Sequence, residues 1–115
     1  MTENKETIQK YIEGFIASDH EKILSCLTDD VVWDIPGMFH ITGKEAFVQE
    51  IENENFVGSP DIHIIRMVEE DNIVVAEGAV QSKMKNGDNL DAVFCDVFHM
   101  RDGKIKHLTS YLMNK

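Results

Sequence analysis

The run Ala92-Val93-Phe94-Cys95-Asp96-Val97-Phe98-His99-Met100 holds a carboxylate in apolar company. Read as a strand, it puts Phe94, Asp96 and Phe98 on one side and Val93, Cys95 and Val97 on the other. A strand that is apolar on both sides is covered on both sides, so Asp96 is expected inside the protein whichever way it points. A carboxyl group among phenylalanines is desolvated, which raises its pKa and favours the neutral form. A neutral carboxyl can donate a hydrogen bond, as the stabilisation of a developing oxyanion requires. The same residue could instead bond a core tyrosine, a histidine or a buried water and only shape the interior. The residues alone leave both roles open.

Other side chains with chemistry are fewer than the composition suggests. Tyr11 falls on the apolar face of a helix, either as plain core with its hydroxyl at the edge or as a pocket donor. The five histidines make no motif. His20 reads as a helix-start residue and His63 as a strand-face residue. His99 and His107 could be neighbours on adjacent strands, but no third ligand accompanies them, so no metal site and no cofactor is expected. His40 precedes the third helix, where the mouth of a pocket would lie, and is a spare acid–base group. Cys26 and Cys95 lack the spacing of a metal site or redox pair and read as buried free thiols in a reducing compartment.

The elements that must position these groups follow from periodicity. Ile8, Tyr11, Ile12, Phe15 and Ile16 form one face of a helix over about residues 4–17. Ser18-Asp19-His20-Glu21 has the form of a capping box and opens a second, short helix through Ile23, Leu24 and Leu27. Val31-Val32-Trp33-Asp34-Ile35 is a strand stopped by Pro36-Gly37. Thr42-Gly43-Lys44-Glu45 starts a third helix through Phe47, Val48 and Ile51, with Glu45, Glu50, Glu52 and Glu54 on a solvated face. Four strands follow, at about 61–68, 73–84, 90–100 and 104–113, separated by the turn signals Glu69-Glu70-Asp71-Asn72, Asn86-Gly87-Asp88 and Asp102-Gly103.

The order is therefore ααβαββββ, an α+β fold in which a curved antiparallel meander wraps around N-terminal helices. Three helices are too few to cover a long sheet, so a gap between the layers is a natural pocket. No helix remains for Val93, Cys95 and Val97, and a homodimer packed through that outer face is the simple solution.

At 115 residues with 43% hydrophobic and 28% charged residues, the chain is expected to be a single domain, residues 1–115, with a real core. A net charge of −10 argues against nucleic acid or an anionic membrane as partner. The polar N-terminus lacks a signal-peptide core and no apolar run is long enough to span a bilayer, so a cytoplasmic location is expected.

Taken in order, the opening helix with Tyr11, Ser18-Asp19-His20, Leu27-Thr28-Asp29-Asp30-Val31-Val32-Trp33, Pro36-Gly37, Gly43-Lys44-Glu45-Ala46, Asp96-Val97-Phe98 and Asp102-Gly103-Lys104-Ile105 resemble the nuclear-transport-factor-2-like superfamily. The resemblance is on the side of ketosteroid isomerases and SnoaL-like polyketide cyclases. It implies a cone-shaped α+β barrel with an internal pocket, usually dimeric. Tyr11 and Asp96 stand where the isomerases keep the tyrosine and the protonated aspartic acid that donate to an enolate. The family's general base falls on Ile35, which cannot accept a proton. Asp34 is one residue away and should point to the opposite face, unless a bulge beside Pro36 turns it inward. Asp34 or His40 would then have to move the proton. The pocket wall is expected from Phe15, Trp33, Ile35, Phe47, Phe94, Phe98, Leu108 and Leu112.

The Asp-Arg-Asp set of the related limonene-epoxide hydrolases has no counterpart near Glu77-Gly78-Ala79-Val80 or Ser110-Tyr111-Leu112. Three functions remain: proton transfer next to a carbonyl on a small apolar substrate, non-catalytic binding of a small hydrophobic molecule, or a dimeric interaction platform. The fold itself hosts all three.

Overall fold

A computed structural model describes residues 2–51 and 56–115. Helix α1 (Glu3–Ala17) is capped by Thr2, whose side chain accepts from the Lys5 amide, and it ends where Ser18 turns left-handed. Asp19, rather than Ser18, then caps the five-residue helix α2 (His20–Leu24). Gly14 lets the two helices meet closely, because a Cβ built there would lie 2.7 Å from Ile23 Cγ1. Strand β1 (Leu27–Ile35), a short strand β2 (Phe39–Thr42) and helix α3 (Lys44–Ile51) follow. The C-terminal part is the meander β3 (Phe56–Glu70), β4 (Ile73–Met84), β5 (Asn89–Arg101) and β6 (Lys104–Asn114).

The order expected from the sequence holds, with β2 added between β1 and α3. Four residues carry too short an alternation to be read as a strand, so His40 looked like a loop residue. The glutamates expected at 52 and 54 lie outside the described residues.

The six strands form one curved sheet in the order β2-β1-β6-β5-β4-β3. All neighbours are antiparallel except β1 and β6, which run parallel. The parallel pairing brings Trp33 beside Leu108 and Asp34 beside Thr109, joining the first strand to the last. Asp71 and Asn72, and again Asp102 and Gly103, have positive φ at two successive positions, the mark of the tight turns that match strand twist. Between His99 and Met100 the β5–β6 register slips, which lets Ile105 and Leu108, three residues apart, both reach the core.

The core lies between the inner face of the sheet and the helices. It joins Ile8, Tyr11 and Ile12 of α1, Ile23 of α2 and Phe47 of α3 to Val31, Val74, Ala76, Phe98, Met100, Ile105 and Leu108 of the strands. Each fully buried large side chain in it contributes about 1.5–3 kcal/mol relative to exposure. Among the described residues no helix is long and apolar enough to cross a membrane.

Candidate ligand pocket

The helices leave part of the inner sheet face uncovered, and a cavity of about 320 Å³ opens there. Its wall is mostly apolar: Phe15 from α1, Trp33 and Ile35 from β1, Phe94 from β5 and Leu112 from β6 all contribute, as does Asp96. Phe47, Phe98 and Leu108, expected on the same wall, are 0%, 0% and 1% exposed and pack in the core instead. They form the layer behind the cavity: Phe47 stacks on Trp33, Phe98 meets Tyr11 edge-on, and Leu108 stands opposite Phe98 across the β5–β6 pair.

Asp96 shares the inner side of β5 with Phe94 and Phe98 and is paired with Ala76 of β4 and Ser110 of β6. Its surface is half-buried, and what remains accessible belongs to the cavity it lines. Burial pushes its pKa up to about 7, against a weaker opposing effect from the Ser110 hydroxyl bonded to it. A carboxyl with that pKa is substantially protonated at neutral pH and can donate.

Tyr11 is 3% exposed and meets the same cavity. Its ring is held edge-on by Phe15, Phe47 and Phe98, with centroids 5.0, 6.2 and 5.7 Å away. Burial first, then the negative charge of Asp96 and that of Cys26, keeps its pKa well above the ordinary tyrosine value. The phenol therefore stays protonated and is a second donor. The sequence placed these two residues 85 positions apart; the fold brings them to one cavity.

Trp33 stacks on Phe47 at 4.6 Å and 24°, meets Phe39 edge-on at 5.2 Å, and donates through Nε1 to Ser110 Oγ at 3.1 Å. Sequence reasoning missed Ser110, since a serine in a strand carries no signal until its neighbour is known. It also missed His20 and Glu50, which line the cavity from α2 and α3. Glu50 was assigned to a solvated face, yet it lies three residues after buried Phe47 and next to Ile51, one helical turn along the inward side.

Asp34 and His40 do not line the cavity. Parity decides this: Trp33 and Ile35 point inward, so Asp34 between them points outward, and no bulge beside Pro36 reverses it. Asp34 is instead bracketed by two imidazoles, His40 Nδ1 on Oδ1 and His107 Nε2 on Oδ2 at 2.8 Å. Those hydrogen bonds, His107's first, hold its carboxyl below the ordinary value. The His99 ring stands 5.6 Å from that of His107 on the same outer face. Burial, then the charges of His107 and Lys106, lowers the His99 pKa. Among the described residues, no three His, Cys, Asp or Glu side chains converge as metal ligands.

Chemically the cavity offers a buried phenol and a half-buried carboxyl of raised pKa on a mostly apolar wall, with a histidine and a glutamate elsewhere on its lining. That arrangement suits a small apolar molecule with one oxygen acceptor.

The SnoaL-like domain family model matches residues 8–108. Among solved structures, an LEH-like epoxide hydrolase from M. tuberculosis superposes with a TM-score of 0.85 at 20% identity, over 96% of this chain and 83% of that one. A proposed SnoaL-like polyketide cyclase from Jannaschia sp. CCS1 also gives 0.85, at 16% identity, over 96% and 85%. TerC, co-crystallised with polyporic acid, gives 0.82 at 23% identity, over 99% and 92%. At these identities the three establish the fold alone. A comparison with curated proteins finds no match.

Proposed function

Because this chain belongs to the SnoaL-like domain family, we propose that it binds a small, mostly apolar molecule through a carbonyl-type oxygen and moves a proton next to that carbonyl. One observation carries the reading: Tyr11 and Asp96, a phenol and a carboxyl whose pKa values burial raises, share a mostly apolar cavity. As negative charge grows on the substrate oxygen, two donors held on a mostly apolar wall stabilise it without having to reorganise. Asp34 and His40 face away from the cavity and take no part. Proton movement falls instead to His20 or Glu50, the remaining titratable side chains among the described lining residues.

Incubating the protein with a panel of small cyclic ketones in D₂O tests this by mass spectrometry. Protein-dependent deuterium uptake beside the carbonyl is expected. Asp96→Asn and Tyr11→Phe should each slow it by about 10²–10³, the usual cost of one oxyanion donor. Uptake that neither substitution changes would defeat the scheme.

A second reading, non-catalytic binding, is favoured by Ile35, an aliphatic residue on the cavity wall where the resemblance puts a base. It predicts a ketone that raises the melting temperature without exchanging its protons. For the outer sheet face we propose a second copy of this chain as the cover. Ile65, Val68, Val93, Tyr111 and Met113 are exposed there across β3, β5 and β6, and the same patch on two copies is self-complementary. Native mass spectrometry should record a dimer; a monomer at all concentrations would remove that part.

A further inference from the structure

The pairing of β1 with β6 ends at Asp34 and Thr109. Past that point β1 turns back at Pro36 and Gly37, where Gly37 has a φ of +84° and the Met38 amide donates to the Ile35 carbonyl oxygen at 2.9 Å. Strand β6 runs on beside β5 as far as Asn114. Among the described residues, no strand pairs with residues 110–114 on the side that β1 has left. Exposure along β6 records the opening. Leu108, Ser110 and Leu112 share the inward side of the strand, yet they are 1%, 7% and 40% exposed in that order.

The apolar cavity and a groove on the outer sheet face meet along this seam, because Ile35, Met38, Phe94, Ser110 and Leu112 line both. Met38 is itself 69% exposed, so the hairpin tip borders the seam without sealing it. The groove continues over Val68, Val93, Tyr111 and Met113, on the face that a second copy of this chain is proposed to cover. Its charged lining residues, Arg66 and Glu77, pair with each other at 2.7 Å. The groove is therefore locally neutral on a chain of net charge −10, and it suits a partner that offers a neutral apolar face of its own.

We propose that the second copy completes the cavity as well as covering the sheet: it closes the seam between the β1–β2 hairpin and β6. The inference rests on the cavity as ligand site and the second copy as cover, and it goes beyond both by linking them. A ligand held better in the closed cavity must strengthen the dimer in return. With one cavity in each copy the effect is squared.

Trp33 reports on the seam, since it is the one tryptophan of the chain, lines the cavity and donates through Nε1 to Ser110 Oγ at 3.1 Å. Its fluorescence is read at protein concentrations from below to above the dimer dissociation constant, which sedimentation supplies. Quenching by acrylamide should weaken as the dimer forms. 2-Decalone, an apolar bicyclic ketone, should bind the dimer about tenfold tighter than the monomer, and at saturation should lower the dimer dissociation constant about a hundredfold. Val68→Glu places a charge in the groove at an exposed residue outside the cavity lining. It should give a monomer with the quenching and ketone affinity of diluted wild type; dilution alone carries the test if this variant does not fold.

A dimer that binds 2-decalone no better than the monomer does, with Trp33 quenched as readily in both, overturns the closure and leaves the cavity and the dimer standing. A chain that is monomeric at every concentration overturns the second copy as cover, and the closure with it. If 2-decalone binds neither state, the ketone reading loses its support; protection of Trp33 from acrylamide in the dimer then still supports the closure, and equal quenching overturns it.

Discussion

Asp34 on β1 and Asp96 on β5 are carboxylates of the same sheet, and their surroundings push their pKa values in opposite directions. Asp34 points out and finds two imidazoles, one on each oxygen. Hydrogen bonds to its ionised form outweigh what little burial it has. Asp96 points in and finds Ser110, phenylalanines and a cavity, so desolvation wins. The difference teaches that sheet face, more than residue type, assigns the chemistry here. A base sought one residue from Ile35 was on the wrong side, and no local adjustment short of a bulge could move it.

The largest consequence is in stability against pH. Folding raises the Asp96 pKa from an ordinary 3.8 to about 7. As pH rises through the ordinary value, the unfolded chain releases this proton while the folded chain keeps it. Stability from this group is therefore fully present below about pH 4 and falls until about pH 7. The full loss is about 4 kcal/mol at roughly 1.4 kcal/mol per pH unit. Asp96→Asn removes the ionisable group, so it should match wild type near pH 5 more closely than at pH 8, where it should be the more stable protein. Urea midpoints at the two pH values measure this. Parallel pH curves for the two proteins would mean that folding leaves the Asp96 carboxyl at its ordinary pKa, solvated rather than buried.

A smaller effect asks what keeps the inner face dry. Gly78 is buried directly opposite Phe94, and a Cβ added there would lie 2.6 Å from Phe94 Cζ and 2.4 Å from the His63 carbonyl oxygen. Gly78→Ala must lift the Phe94 ring or part the strands, at a cost of about 1–3 kcal/mol typical of overpacking. Phe94 lines the same cavity as Asp96, so displacing it should also bring the Asp96 midpoint down toward the ordinary carboxyl value. A destabilised variant with an unmoved midpoint would show that Phe94 packing does not set the contrast between the faces.

The layout was legible in the chain because each long element repeats its own period. Ile8, Tyr11, Ile12 and Phe15 announce a helix, and Phe94, Asp96 and Phe98 announce one side of a strand. Asp96 could be singled out for the same reason, since alternation alone puts it among phenylalanines. Tyr11 joined it only through resemblance, because pairing across 85 residues is a property of topology. Ser110 and Glu50 were not legible. A serine becomes informative only once Trp33 and Asp96 flank it, and a glutamate in an acidic helix looks solvated until the sheet closes over one side of that helix. Phe47, Phe98 and Leu108 were correctly read as apolar and inward, but whether an inward residue meets a cavity or another side chain depends on where the helices stop.

The smallest effect lies on the outer face. Asp34 has a lowered folded pKa, so its contribution is present above the ordinary carboxyl value and is lost as pH falls through the lower one. Asp34→Asn should accordingly reduce the urea midpoint slightly at pH 6, with the gap to wild type closing as both are taken well below pH 4. The group is exposed enough for solvent to screen most of the attraction, which keeps the change small. The same variant should leave the Asp96 midpoint and any ketone-dependent deuterium uptake as they are, because Asp34 shares neither hydrogen bonds nor cavity with Asp96. A loss of uptake in Asp34→Asn comparable to that in Asp96→Asn would break the division between the two faces, and would return the outer carboxylate and its histidines to consideration as the proton-moving group.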